Sequence, residues 1–282
     1  EYTKGHSFMC GTLYLCATPI GNLSDMSERL CKTLSEVDII AAEDTRHTLK
    51  LLNHLGIKKQ MISYFEHNKR EKGEYLVSLL KEGKNIALVS DAGTPAISDP
   101  GEDLVLLCAE EGITVTSVPG PVAAISALIV SGLPTGRFAF EGFLSVNKRS
   151  RDERLREVCD DKRTLIFYEA PHKLRRTLAD MLRVFGDRKI TLCREITKLH
   201  EETIRTTLKE AQNLYSDEKP PKGEFVLVVA PAEAVEIFGI TMSIKERFDF
   251  LLKNGDDEKT AMKKIAVERG IPKRDVYKEV KT

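Results

Sequence analysis

Three short stretches of this 282-residue chain combine proline with glycine at the ends of strand-like runs. They are Ala17 to Asn22 (ATPIGN), Ser90 to Gly101 (SDAGTPAISDPG) and Val118 to Ala124 (VPGPVAA). Proline fixes the backbone and glycine removes side-chain bulk, so such loops let main-chain groups approach a bound ligand closely. One alone reads as a turn; three on one sheet edge point to a shared binding site. Charged clusters able to handle a proton accompany them. Glu43, Asp44 and Arg46 follow a strand-like run, and Arg194, Glu195, Lys198, His200 and Glu201 crowd together at another strand exit. Glu169 and His172 flank Pro171, and His67 and Asn68 lie in YFEHN, where a histidine could face the substrate and take a proton. Each also has a bland reading, as acids favouring a helix N-terminus, a solvated face or a surface loop.

The elements that must position these residues alternate. Apolar runs at Thr12–Thr18, Val37–Ala42, Asn85–Ser90 and Thr114–Val118 are separated by stretches of helical period, the pattern of βαβ units and a parallel sheet. Asp99-Pro100-Gly101-Glu102 reads as a helix start with a capping box, and Gly112 as its stop. A very apolar helix is expected from Pro121 to near Gly132, buried against the sheet or a partner. Residues 132–137 (GLPTGR) form a punctuated linker between a domain at 9–131 and a second α/β domain at 138–232. The second domain's strands read as Phe138–Leu144, Thr164–Tyr168, Lys189–Cys193, Glu202–Thr206 and Phe225–Ala230, with a helix from Pro171 to Phe185. Residues 241–282 form a helical appendage of three segments, near Ser243–Lys253, Glu258–Arg269 and Pro272–Val280, the last two of helix-turn-helix character. The appendage carries eleven basic against eight acidic residues; it is either a small helical cap or an RNA-docking unit. Asn147 to Arg156 (NKRSRDERLR) holds five basic and two acidic residues, either an RNA-backbone contact or an exposed helix face.

Composition narrows the function classes. Two hundred and eighty-two residues make about two domains. Basic and acidic residues balance at 43 each, so net charge alone predicts no polyanion capture. Apolar content of 41% excludes a disordered chain, and no apolar run approaches the roughly 18 residues of a membrane helix, which leads to a cytoplasmic expectation. The six cysteines form no CxxC pair, and the residues before Met9 read as an expression remnant. No GxGxxG follows a strand, and GxxxxGK[ST], HExxH and GxSxG are all missing. Hydride transfer, NTP hydrolysis and zinc chemistry lose ground accordingly.

Seven ordered blocks, TPIGNL, AAEDTR, SDAGTPAISDPG, VPGPVAA, FYEAPHK, REITKLHEE and GEFVLVV, resemble the bacterial rRNA ribose methyltransferase branch of the tetrapyrrole methylase superfamily from about Thr12 to Pro231. The resemblance implies two α/β domains of tetrapyrrole-methylase type, S-adenosyl-L-methionine folded in the cleft between them, and a homodimer. The implied substrate is the ribose 2′-hydroxyl of cytidine 1402 in 16S rRNA of the small ribosomal subunit. Gly93-Thr94-Pro95 stands where tetrapyrrole relatives carry Gly-Asp-Pro, which favours rRNA over a precorrin or uroporphyrinogen acceptor. By position, Pro19, Gly93, Thr94, Pro95, Ile97, Val122, Ala123, Tyr168 and Ala170 are implied cofactor contacts. Methyl transfer from a sulfonium needs orientation, desolvation and removal of the hydroxyl proton, and no metal. Glu43, Asp44, Arg46, Arg194, Glu195 and Lys198 are the catalytic candidates, with the base among them left open.

Overall fold

Residues 10–232, 243–253 and 255–281 are described by the computed structural model, and the stretch before Met9 lies outside them. The first half builds a parallel sheet from five four-residue strands: β1 (Leu13–Cys16), β2 (Ile39–Ala42), β3 (Gln60–Ser63), β4 (Ile86–Val89) and β5 (Val115–Val118). Their spatial order is β3-β2-β4-β1-β5. β2 and β4 are buried along their whole length, as strands covered on both faces must be. Helices α1 (Glu28–Glu36) and α2 (Thr45–His54) cover one face, where Leu30, Leu34 and Leu52 meet Cys16, Ile40 and Val89. The opposite face carries α3 (Lys69–Lys81) and α4 (Gly101–Glu110), where Leu76, Leu80 and Leu104 meet Leu13, Ala41 and Leu88. β1 and β4 are neighbours whose connections leave to opposite faces. The crevice at their carboxyl ends is therefore the place where an open α/β sheet takes a ligand.

β3 escapes sequence reading because QMIS is a half-exposed edge strand without a continuous apolar run. The helix expected at Asp99 begins at Gly101, with the Asp99 carboxylate accepting from the Gly101 N–H at 2.8 Å. The helix expected from Pro121 begins two residues later, because Val122 is extended.

The second half holds β6 (Phe138–Phe143), β7 (Thr164–Glu169), β8 (Lys189–Arg194), β9 (Glu202–Thr207) and β10 (Phe225–Val229), in the order β6-β7-β10-β8-β9. β6 runs parallel to β7, and the other neighbours pair antiparallel. The twofold period of a strand separates its faces. In β10, Phe225, Leu227 and Val229 face α6 (Lys148–Glu157), α7 (Pro171–Phe185) and α8 (Leu208–Gln212), while Val226 and Val228 face α5 (Ala123–Val130). α7 spans the expected residues, with Pro171 in its first turn and Gly186 closing it. Its Leu174, Leu178, Met181 and Phe185 recur on one buried stripe. α5, which lies N-terminal to the 132–137 linker, packs Ala124, Ala127 and Leu128 on the second sheet and leaves Ile125, Ile129 and Val130 exposed.

Of the five basic residues at 147–156, Arg151 is committed to the fold, while the other four are exposed. Arg151 is buried against Asp180 at 2.8 Å and donates to the Ser145 and Val146 carbonyls. Arg154 is paired with Glu141 and Glu157, and Arg149 with Glu153. The C-terminal segments form α9 (Ile244–Lys253), α10 (Glu258–Arg269) and α11 (Lys273–Lys281) around a core that includes Phe248, Leu251, Met262, Ile265 and Val276. A left-handed Gly270 closes α10, and Ile271-Pro272 lead into α11. Among the described residues, no helix is long and apolar enough to cross a membrane.

Candidate functional site

The three Pro/Gly loops are joined to one another. Thr18 and Gly93 exchange backbone hydrogen bonds of 2.9 and 3.1 Å, bridging the loops that leave β1 and β4. The Thr94 hydroxyl donates to the Pro121 carbonyl at 3.0 Å, which binds the second loop to the third. Gly93 adopts a φ of 82°, and a Cβ there would stand 3.1 Å from Ile20 Cγ2 and 3.5 Å from the Pro121 oxygen. Only glycine gives this turn without strain or crowding. Farther along, Ala96 and Ser98 hold left-handed φ values of 67° and 62°, a costly conformation for residues with a Cβ. The Asp99 carboxylate keeps the loop in place by accepting from the Ala96 and Gly101 N–H groups at 2.9 and 2.8 Å.

Above these loops, between the two halves, lies a cavity of about 550 Å³. The first half supplies Ile20, Glu43, Ser90 to Thr94, Ile97 to Asp99, Val122 and Ala123 to its walls. The second supplies Phe143, Tyr168 to Pro171, Cys193, Ile196, Lys198 and Glu224 to Val226. Such a volume with mixed apolar and polar walls suits a small organic ligand. The Ala124 N–H donates to Tyr168 Oη at 3.2 Å, anchoring the start of α5 to the second sheet.

The cavity brings together Gly93, Thr94, Ile97, Val122, Ala123, Tyr168 and Ala170 of the nine implied cofactor contacts. Pro19 and Pro95 are not in its lining, although their neighbours Ile20 and Thr94 are. Of the six catalytic candidates, Glu43 and Lys198 face it. Asp44 and Arg46 instead form the N-terminal cap of α2: the Arg46 N–H, Nε and Nη2 donate to the Asp44 carboxylate at 2.8, 3.1 and 2.8 Å. Those hydrogen bonds hold the Asp44 carboxyl well below its usual range. Arg194 pairs across the sheet with Glu202 at 3.0 Å. Glu195 lies behind Lys198, accepting its ammonium at 2.8 Å and the Glu224 N–H at 2.9 Å. Of the other polar residues, Asn68 stabilises its own turn through the Phe65 N–H and the Ser63 carbonyl, while His67, His172 and His200 are exposed. Glu201 accepts from the Thr197 N–H. Glu169 is buried and satisfied by Thr177, Lys173 and the Ala170 N–H.

Electrostatics separates the two facing groups. Burial pushes the Glu43 carboxyl upward, and the charges of Asp91, Asp99 and Asp44 add to the shift against a hydrogen bond from the Asp91 N–H. The result is a carboxylate of more than ordinary basicity. For Lys198, burial works downward, but the carboxylates of Glu195 and Glu224, at 2.8 and 3.0 Å, outweigh it and hold the ammonium above its usual value. Lys198 is thus a fixed cation at neutral pH, and of the two groups Glu43 is the one whose electrostatics favour holding a proton. Among the described residues, no cluster of His, Cys, Asp and Glu could hold a metal ion.

Asp91, Ser98, Phe143 and Glu224 to Val226 were not singled out as binding residues from the sequence. Asp91 is the second residue after β4, within the Ser90 to Gly101 loop, a signal that was present. Phe225 and Val226 begin β10 rather than follow it, because an antiparallel strand enters the site by its amino end, and a search confined to strand exits misses them.

The model of the family described as "Tetrapyrrole (Corrin/Porphyrin) Methylases" matches residues 12–212. Over 271 residues the chain is 50% identical to "Ribosomal RNA small subunit methyltransferase I" of Halalkalibacterium halodurans, covering 95% of this chain and 93% of that protein. It is 48% identical to the protein of the same name from Synechocystis, over 95% and 96% of the two chains. A solved structure of uroporphyrin-III C-methyltransferase from Thermus thermophilus, complexed with S-adenosyl homocysteine, superposes with a TM-score of 0.53 at 20% identity, covering 78% of this chain and 97% of that one. This last likeness concerns the fold.

Proposed function

The chain belongs to the tetrapyrrole methylase family, and from that premise we propose that it methylates the 2′-hydroxyl of a ribose, that of cytidine 1402, in the 16S rRNA of the small ribosomal subunit, with S-adenosyl-L-methionine in the interdomain cleft. It is a methyltransferase. The observation that carries the reading is the near-full-length identity of about half the residues to proteins named for small-subunit rRNA methylation. The Thermus thermophilus structure with S-adenosyl homocysteine supports the choice of cofactor.

The cleft residues fit that cofactor. Gly93 leaves open a space that a Cβ would crowd, Ala123 and Ala170 are small, and Ile97, Val122 and Val226 offer apolar surface beside main-chain groups. When bound, the cofactor supplies a methyl group activated on a sulfonium. Glu43 takes the proton from the attacking ribose hydroxyl, and its raised basicity suits that role. Lys198 presents a positive charge to the same space. Its partner Glu195 is mostly buried, whereas the Glu224 side chain is 80% exposed and free to give way to an RNA phosphate. The exposed Ile125, Ile129 and Val130 of α5 support a homodimer, and the ribosomal substrate a cytoplasmic location. We further expect the assembled subunit to be preferred over naked RNA, since specificity on folded RNA rests on shape.

The test is labelled methyl transfer from S-adenosylmethionine to small subunits purified from cells lacking the enzyme, with uroporphyrinogen III as the competing acceptor. Incorporation into the subunit alone supports the reading; incorporation into the tetrapyrrole alone overturns it.

A further inference from the structure

β6 contains an irregularity with a specific result for one side chain. Its register against β7 runs Phe140 to Ile166, then Gly142 to Phe167 and Phe143 to Tyr168, so Glu141 is an extra residue in the strand. In a regular strand Phe140 and Phe143 would point to opposite faces. One inserted residue reverses the alternation. Ile166 and Tyr168 belong to the face of the sheet turned toward α5 and the cavity, whereas Phe167 faces α7. The bulge therefore brings Phe143 onto the cavity face beside Phe140, and both rings meet Tyr168 edge-on, at 5.5 and 4.9 Å between centroids.

Phe143 ends up on the cavity wall with 58% of its surface exposed. A phenylalanine turned by a backbone irregularity out of a buried face and left 58% exposed gains less in folding energy than a buried ring would. The Lys173 ammonium lies 5.3 Å from its ring centroid and is itself held by Glu169 at 3.1 Å, so one cationic contact orients the ring while leaving it exposed. Gly142, with a φ of 62°, makes the turn possible, and a Cβ there would stand 3.0 Å from Ser98 Oγ. Phe143 lines the same cavity as Ser98, Asp99 and Glu43, and the last two lie close enough for their charges to interact.

We propose that Phe143 is a stacking platform for the base of the acceptor nucleotide, holding it outside its RNA stack while the ribose faces Glu43. Drawing the acceptor nucleotide out of its stack lets its ribose enter the cleft, and an exposed aromatic ring compensates for the base stacking this loses. Stacking tolerates any base, so this surface gives affinity and orientation rather than sequence choice. The inference rests on the rRNA reading above.

The experiment compares Phe143→Ala, Phe143→Leu and Phe143→Trp with the wild-type enzyme. It measures steady-state methyl transfer to undermethylated small subunits and the affinity for S-adenosyl homocysteine by calorimetry. The alanine and leucine variants should lose on the order of tenfold to a hundredfold in kcat/KM for the subunit, with cofactor affinity within twofold of wild type. The tryptophan variant should retain most activity. A leucine variant as active as wild type overturns the platform. An equal loss of cofactor affinity also overturns it, by assigning the ring to the cofactor's adenine. If wild-type enzyme transfers no methyl group to subunits, the rRNA reading itself has failed, a result distinct from either outcome. Melting temperatures of the three variants should match wild type, since the ring is largely in water.

Discussion

Replacing Glu43 by glutamine separates proton transfer from binding and from stability. The variant keeps the shape of the side chain and an oxygen able to accept from the Asp91 N–H, 3.4 Å away in the structure. It removes a charge that lies among Asp91, Asp99 and Asp44. The sign of the stability effect follows from linkage. The folded carboxyl binds its proton more tightly than the unfolded one, so its ionisation weighs against folding above the folded pKa and not at all below the unfolded value. At neutral pH Glu43→Gln should therefore leave the melting temperature unchanged or raise it. Catalysis should move the other way. Loss of a general base costs about 10²- to 10⁴-fold, or roughly 3 to 5 kcal/mol of barrier. The assay is single-turnover methyl transfer to small subunits from pH 5 to 9, with binding of S-adenosyl homocysteine measured alongside. Wild-type rates should rise with pH through a carboxylate limb displaced above the ordinary glutamate range, and the variant should lack that limb. A variant within fivefold of wild type, with the same pH profile, would refute Glu43 as the proton acceptor.

Three other perturbations probe separate parts of the account. Arg151→Ala should cost about 1.5 to 3 kcal/mol in urea unfolding, because it removes the buried guanidinium and leaves the Asp180 carboxylate only its partly exposed partner Arg183, at 3.0 Å; a change below about 0.5 kcal/mol would contradict the structural role given to that arginine. Gly93→Ala should weaken S-adenosyl homocysteine by roughly tenfold or more while lowering stability by about 1 to 2 kcal/mol, since both the left-handed φ and the nearby Ile20 oppose a Cβ. Calorimetry and chemical unfolding on the same samples check this. Lys198→Met should raise KM for the subunit and flatten its dependence on salt, with little effect on cofactor affinity; an unchanged salt dependence would remove Lys198 from RNA contact.

Much of the scaffold is readable from local pattern. Leu174, Leu178 and Leu182 recur at helical spacing between Pro171 and Gly186, so α7 is legible end to end. The buried runs of β2 and β4 are similarly plain, while β3 is hidden because a half-exposed edge strand has no apolar signature. In the site, the three punctuated loops are visible because proline and glycine constrain the backbone by themselves. What is hidden depends on long-range pairing. Nothing local shows that Lys198 will meet Glu224, twenty-six positions away, or that Arg151 will be buried under Asp180 rather than reach for RNA. The turning of Phe143 depends on a register against β7 that exists only once the sheet is assembled.

The central claim is the identity of the methylated atom. Small subunits from cells lacking the enzyme should be incubated with this protein and S-adenosylmethionine, digested to nucleosides and analysed by mass spectrometry, with fragment mapping of the 16S rRNA. The account predicts a single new 2′-O-methylcytidine, at position 1402. A methyl group on the base, on another nucleotide or absent from the RNA altogether would contradict it.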